Sequence, residues 1–215
     1  MESANKKGPS EQETILKNLS GNERFKDNQF PLPPNETSSI CQNSAKEDWL
    51  EKLDKKLASK LAVLTDDESR LDFDLSFTHP NDIETIFDNQ GNTMGNFAFI
   101  SAIQALSQHP EYIQKLFEYV DDTNKGVFSV KFMIDGDPQT VIIDDEIVIN
   151  GDEVPAFAYG KPWAIFLEKA WAKIHQTYKD SIRGEVFEIL RDLTGAPSFQ
   201  YDLTKDEGLS IEEIH

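Results

Sequence analysis

Apolar residues recur every three or four positions in several stretches of this chain and run together or alternate in two others. Trp49, Leu50, Leu53, Leu57, Leu61 and Leu64 fall on one stripe, and Ser44 precedes them as a cap. The spacing predicts a helix over 45–64 with Lys and Glu on its opposite face. Phe99, Ile100, Ile103 and Leu106 predict a central helix over 95–108. Pro110 opens a further one, with Tyr112, Ile113, Leu116, Phe117 and Val120 on its buried side. Pro162 suits the first position of a helix reaching Tyr178, whose apolar face is wide: Trp163, Phe166, Leu167, Ala170, Trp171 and Ile174. A short helix over 185–193 stops at Gly195 and Pro197. Val127–Ile134 and Thr140–Ile149 read as strands joined through Asp135-Gly136-Asp137-Pro138, a hairpin signal. The unbroken run Val141-Ile142-Ile143 suits a strand covered on both faces, and 199–203 reads as a last strand. Helices around a small antiparallel hairpin make an α+β pattern.

The polar stretches organise the rest. Residues 1–24 are rich in Lys, Glu, Asn, Ser and Gln and bury too little to offset ordering entropy, so disorder or a partner-dependent arm is expected. Residues 25–35 combine two Phe with three Pro and read as an extended strap. The expected layout is a polar arm with its strap (1–44), an amphipathic helix and acidic linker (45–78), a folded core (79–205) and a tail (206–215). The core begins near His79-Pro80.

Net charge is −18, with an isoelectric point near 4.5. Such a surface repels phosphate backbones and anionic lipid, which argues against nucleic-acid and bare-membrane partners and for basic protein surfaces or cations. Cys41 is the single cysteine, so no intramolecular disulfide forms. Residues 1–20 hold no apolar run, and no stretch reaches the roughly 18–20 apolar residues of a bilayer span. A soluble, cytoplasmic protein is expected.

The blocks then fall into a known order. Phe25-x-Asp27-x-x-Phe30-Pro31 and Gln90-Gly91 come first, followed by Gly95-Asn96-Phe97-Ala98-Phe99-Ile100-Ser101-Ala102-Ile103. Next are Gly126-Val127-Phe128-Ser129-Val130-Lys131-Phe132 and Val141-Ile142-Ile143-Asp144-Asp145. The last are Trp163-Ala164-Ile165-Phe166-Leu167-Glu168-Lys169-Ala170-Trp171-Ala172-Lys173-Ile174-His175 and Asp192-Leu193-Thr194-Gly195. Together these resemble the first half of the catalytic core of calpain-type cysteine proteases, a papain-like fold, over about residues 25–203. The resemblance implies a nucleophilic Cys at the N-terminus of the central helix, where the dipole favours thiolate. It also implies an upstream Gln for the oxyanion, and His and Asn from the second half as base and orienter.

The chain departs from that pattern. Phe97 stands at the nucleophile position, and Gln90, the vestigial oxyanion residue, lies one residue too far upstream. The part that carries His and Asn in the family does not follow before His215. Ser101 sits where the family has a small packing residue, and His79, His109, His175 and His215 match no catalytic motif. His175, at a helix C-terminus, is expected to complement the dipole as a cation. Glu188 and Asp88 are the nearest matches to the family's calcium carboxylates, but no metal or other cofactor is assigned. The expectation is a pseudoenzyme with no catalytic residues, acting as a structural or protein-binding subunit of a larger assembly; the resemblance allows a cytoskeletal or ciliary address. The alternative is a regulatory subunit or half-enzyme of a calcium-dependent cysteine endopeptidase. The ring of Phe97 is expected to be packed.

Overall fold

The computed structural model describes residues 10–32, 62–64, 84–85, 96–121, 125–149, 155, 157–159 and 161–200. In chain order the elements are α1 (Glu11–Asn18), β1 (Ala62–Leu64), β2 (Glu84–Thr85), α2 (Phe97–Ser107), α3 (Pro110–Leu116), β3 (Phe117–Val120), β4 (Val127–Ile134), β5 (Asp137–Asp144), β6 (Ile147–Ile149), β7 (Ala158–Tyr159), α4 (Pro162–Ile174), α5 (Tyr178–Ser181) and α6 (Val186–Thr194). Strands β3-β4-β5 form an antiparallel sheet, and β1-β6 and β2-β7 form two-stranded ladders. This is the α+β arrangement expected.

The hydrophobic pattern explains the centre. Every residue of α4 from Trp163 to Ala172 is buried, so this helix is enclosed on all sides. Its aromatic rings lock to the elements around it. Phe99 of α2 stacks on Trp171 at 5.3 Å, Phe128 of β4 stacks on Phe166 at 4.6 Å, and Phe132 meets Trp171 edge-on at 5.6 Å. Phe128, Val130, Phe132, Val141 and Ile143 belong to this core. Pairing of Val130 with Val141 and of Phe128 with Ile143 puts them on one face of the sheet.

Several boundaries differ from expectation. Positions 62–64 form a strand paired with β6, so a helix over 45–64 cannot run to its end; the rest of that segment lies outside the described residues. The helix opened by Pro110 ends at Leu116, and Phe117–Val120 turns into β3, because pairing with β4 outweighs the helical spacing. Tyr112, placed by its spacing on the buried side, is exposed on the helix that does form. The hairpin turns on two residues, Asp135 (φ 53°) and Gly136 (φ 86°), as a tight primed turn requires. Asp137 and Pro138 therefore join β5, an edge strand that tolerates a missing N–H. The segment 140–149 divides at Asp145 into β5 and β6. The helix expected to reach Tyr178 stops at Ile174; Gln176 adopts φ 73°, and Thr177 caps the separate α5. Phe199 is exposed, outside any strand, and positions 201–203 lie outside the described residues.

Residues 10–24, part of the segment expected to be disordered or a partner-dependent arm, are ordered against this chain's own sheet, while residues 1–9 lie outside the described residues. Ser10 and Glu13 form a reciprocal capping box that starts α1. Gln12 bonds Ser129 at 2.8 Å, and Phe25 donates its N–H to the carbonyl of Lys125 at 2.8 Å. The strap that follows inserts Phe30 and Leu32 as buried residues, with Phe30 against the Tyr178 ring. Among the described residues no helix is long and apolar enough to cross a membrane.

Candidate functional site

The N-terminus of α2 is assembled from residues far apart in sequence. Asn96, fully buried, caps the helix: its side-chain oxygen accepts from the Phe99 N–H at 3.0 Å, and its carbonyl accepts from Ile100 at 2.8 Å. Its side-chain amide donates to the Ser181 carbonyl on α5, which also accepts from the Trp171 indole at 3.2 Å. Behind it, Glu168 of α4 takes the backbone N–H of Asn96 and, at 2.6 Å, that of Ala158 on β7. Burial raises the Glu168 carboxyl to about 7, and the two peptide hydrogen bonds oppose that rise.

The neighbouring Lys169 reaches the other way. Its ammonium pairs with the buried Asp144 carboxylate and also donates to the carbonyls of Asp144 and Glu146. Asp144 in turn accepts the Asp27 N–H at 2.6 Å, and Asp27 pairs with Lys173 at 2.7 Å. Arg24–Asp145 and Lys26–Glu146 pairs extend this ladder along the strap. α4 thereby fixes both the entry to α2 and the end of the three-stranded sheet.

Phe97 occupies the first position of α2, where the free peptide N–H groups and the dipole favour a negative charge. Phe97 is 37 % exposed, so the expectation of a fully packed ring is corrected to a part-exposed one. The Asn96 cap and the buried neighbours Phe99 and Ile100 turn the helix's inner face away from position 97. Ser101, one turn on, is also exposed. His109 precedes α3 beyond the opposite end of α2 and lies 3.7 Å from Glu111. His175 lies against Trp171, its Nε2 buried without a hydrogen-bond partner among the described residues. Burial lowers its pKa, so the imidazole is neutral near pH 7 and the expected cationic cap is corrected.

Glu188 is committed to a capping box with the Glu185 N–H at 3.1 Å. Among the described residues no three His, Cys, Asp or Glu side chains gather as metal ligands would. Gln90, Cys41, His79, Asp88 and His215 lie outside the described residues. The sequence reading missed the buried Glu168, Lys169 and Asp144. A charged pair inside the apolar run Trp163–Trp171 was the available signal.

The model of the family described as "Calpain family cysteine protease" matches residues 25–214. The chain is 33% identical over 116 residues to the calpain-type cysteine protease DEK1 of Zea mays, covering 51% of this chain and 5% of that protein. It is 30% identical over 192 residues to Calpain-13 of Rattus norvegicus, covering 82% of this chain and 25% of the relative. Calpain-14 of Homo sapiens is 31% identical over 122 residues, covering 54% of this chain and 18% of that protein. The chain thus spans a quarter or less of the length of these relatives. With the blocks in family order and a helix that begins at position 97 over a buried Asn cap, the chain belongs to the calpain family of cysteine proteases.

Proposed function

We propose that this chain is a calpain-family member that does not hydrolyse peptides and serves as a protein-binding component of a larger assembly. One observation carries the reading: a phenyl ring stands at the first position of α2, where the resemblance calls for the nucleophile. A hydrocarbon ring neither ionises nor attacks a carbonyl, so the dipole that would hold a thiolate has nothing to activate. Cys41, the single thiol of the chain, precedes that position by more than fifty residues and belongs to no family block. The strongly negative net charge and the part-exposed ring support a role in contacting proteins rather than polyanions.

The test is incubation of the full chain with labelled casein, calcium and reductant, alone and after mixing with native extract depleted of thiol proteases. No cleavage above background is expected. Cleavage that appears on adding the chain and disappears with a thiol-alkylating reagent overturns the reading and makes the chain a subunit of a calcium-dependent endopeptidase instead.

A further inference from the structure

The tip of the β4–β5 hairpin places an uncommitted carboxyl next in sequence to an unhindered peptide nitrogen. Asp135 and Gly136 form the whole connection, and both are exposed. Ile134 pairs with Asp137, so neither turn residue enters the ladder and the Gly136 N–H stays outside it. Among the described residues the Asp135 carboxylate makes no hydrogen bond or ion pair; its charge reaches Arg191, which is itself bonded to Asp192. A Cβ built at Gly136 would meet nothing within 4 Å, so a group approaching this nitrogen is not obstructed.

The backbone holds Asp135 there at a cost. Its φ is 53°, a region where the Cβ of an L residue crowds the following carbonyl, whereas Gly136 takes φ 86° freely. Leaving this conformation relieves the crowding. Other aspartates lack the combination. Asp27 and Asp144 are buried in pairs with Lys173 and Lys169, and Asp192 is tied to Arg191. Each is followed by a residue whose side chain shields the next nitrogen. Asp137 is exposed, but it precedes Pro138, whose nitrogen carries no proton. Asp135-Gly136 is the single Asp-Gly pair in the sequence.

We infer that Asp135-Gly136 is a site of spontaneous isoaspartate formation, and that the modified turn is a substrate for an isoaspartyl methyltransferase. The Gly136 nitrogen attacks Cγ of Asp135, and the nitrogen's proton leaves with the carboxyl hydroxyl as water. A second water opens the five-membered imide. Opening at Cγ restores aspartate; opening at the backbone carbonyl leaves the chain running through Cβ and Cγ, with the α-carboxylate free. The net change is an isomerisation and needs no oxidant or co-substrate. The backbone gains one carbon in a turn that closes on two residues, so the Ile134–Asp137 pair is lost. The disturbance reaches the end of α6, where Met133 lies against Gly195. The freed carboxylate stands on an exposed tip, open to an enzyme's cleft.

The test ages the full chain at mildly acidic pH beside a free peptide of residues 131–140. Exposed tips open at little free-energy cost, so Asp135 in the folded chain is expected to isomerise within about tenfold of the peptide's rate. A turn held as firmly as the core would react more than about a thousandfold slower. Peptide mapping with electron-transfer fragmentation reads the product as a species of unchanged mass with its extra backbone carbon at position 135. Deamidation at Asn150-Gly151 is told apart by the mass it adds. In an Asn150→Gln background the aged chain is expected to accept labelled methyl groups from S-adenosylmethionine and an isoaspartyl methyltransferase. Asp135→Glu, whose imide ring would be one carbon larger, is expected to lose that label. A rate more than about tenfold below the peptide's overturns the inference. So does label that persists in the Asp135→Glu chain, or label absent from the aged parent. None of these outcomes bears on casein cleavage or on a protein partner, so this inference and the function proposed above fail separately.

Discussion

Glu168 holds two backbone amides inside the protein at a pKa of about 7 against an ordinary 4.5, chiefly because burial penalises its charge. The folded chain therefore keeps a proton there that the unfolded chain sheds above about pH 4.5. Stability from this group is complete below that value and is lost as pH rises through 7, by about 3 kcal/mol at 1.36 kcal/mol per unit. Glu168→Gln should flatten the pH dependence of urea unfolding between pH 5 and 7.5 relative to the parent; unchanged slopes would show that the carboxyl ionises as in water. Phe97 gives a second expectation. Because its ring is part-exposed, Phe97→Cys should change stability by less than about 1 kcal/mol, against the 1–4 kcal/mol that a buried ring would cost. A loss of several degrees in Tm would return the ring to the interior.

Buried charge joins elements here alongside the apolar core. Lys169 of α4 neutralises Asp144 at the end of β5, and each is almost inaccessible to water. Removing one partner strands the other: Lys169→Met should destabilise by about 3–5 kcal/mol, whereas Lys169→Met with Asp144→Asn should recover a large part of that loss in denaturant titrations. Additive losses would mean the two charges do not interact. α6 ends for a backbone reason. Gly195 takes φ 72°, and an added Cβ would lie 3.1 Å from Met133 Cγ, so Gly195→Ala should lower stability by about 1 kcal/mol or more on thermal melting.

Across the whole molecule, a net charge of −18 sets self-repulsion against the local pairs that hold the strap to the sheet. The repulsion is long-range and screened by salt, while the Asp144–Lys169 pair is enclosed and screened little. Raising NaCl from about 0.02 to 0.5 M should therefore raise Tm; a fall would mean that the exposed pairs along the strap dominate.

The chemistry-bearing sequence was legible at the elements whose pattern is local. Pro162 followed by a wide apolar face, Gly195 after a short helix and Asp135-Gly136 between strands each state their structure within a few residues, whereas Asn96, read as the second residue of the central helix, proved to be its cap. The family order was legible for the same reason, since each block is a short run. Tertiary structure decided what depends on distant partners. Phe117–Val120 became a strand because β4 lay alongside, and α1 formed on a polar segment because the sheet offered it Ser129. Glu168 and Lys169 sank into the interior because Asn96, Ala158 and Asp144 met them there. Burial is a property of what surrounds a residue, and neither the exposure of Phe97 nor the neutrality of His175 can be read from the residues beside them.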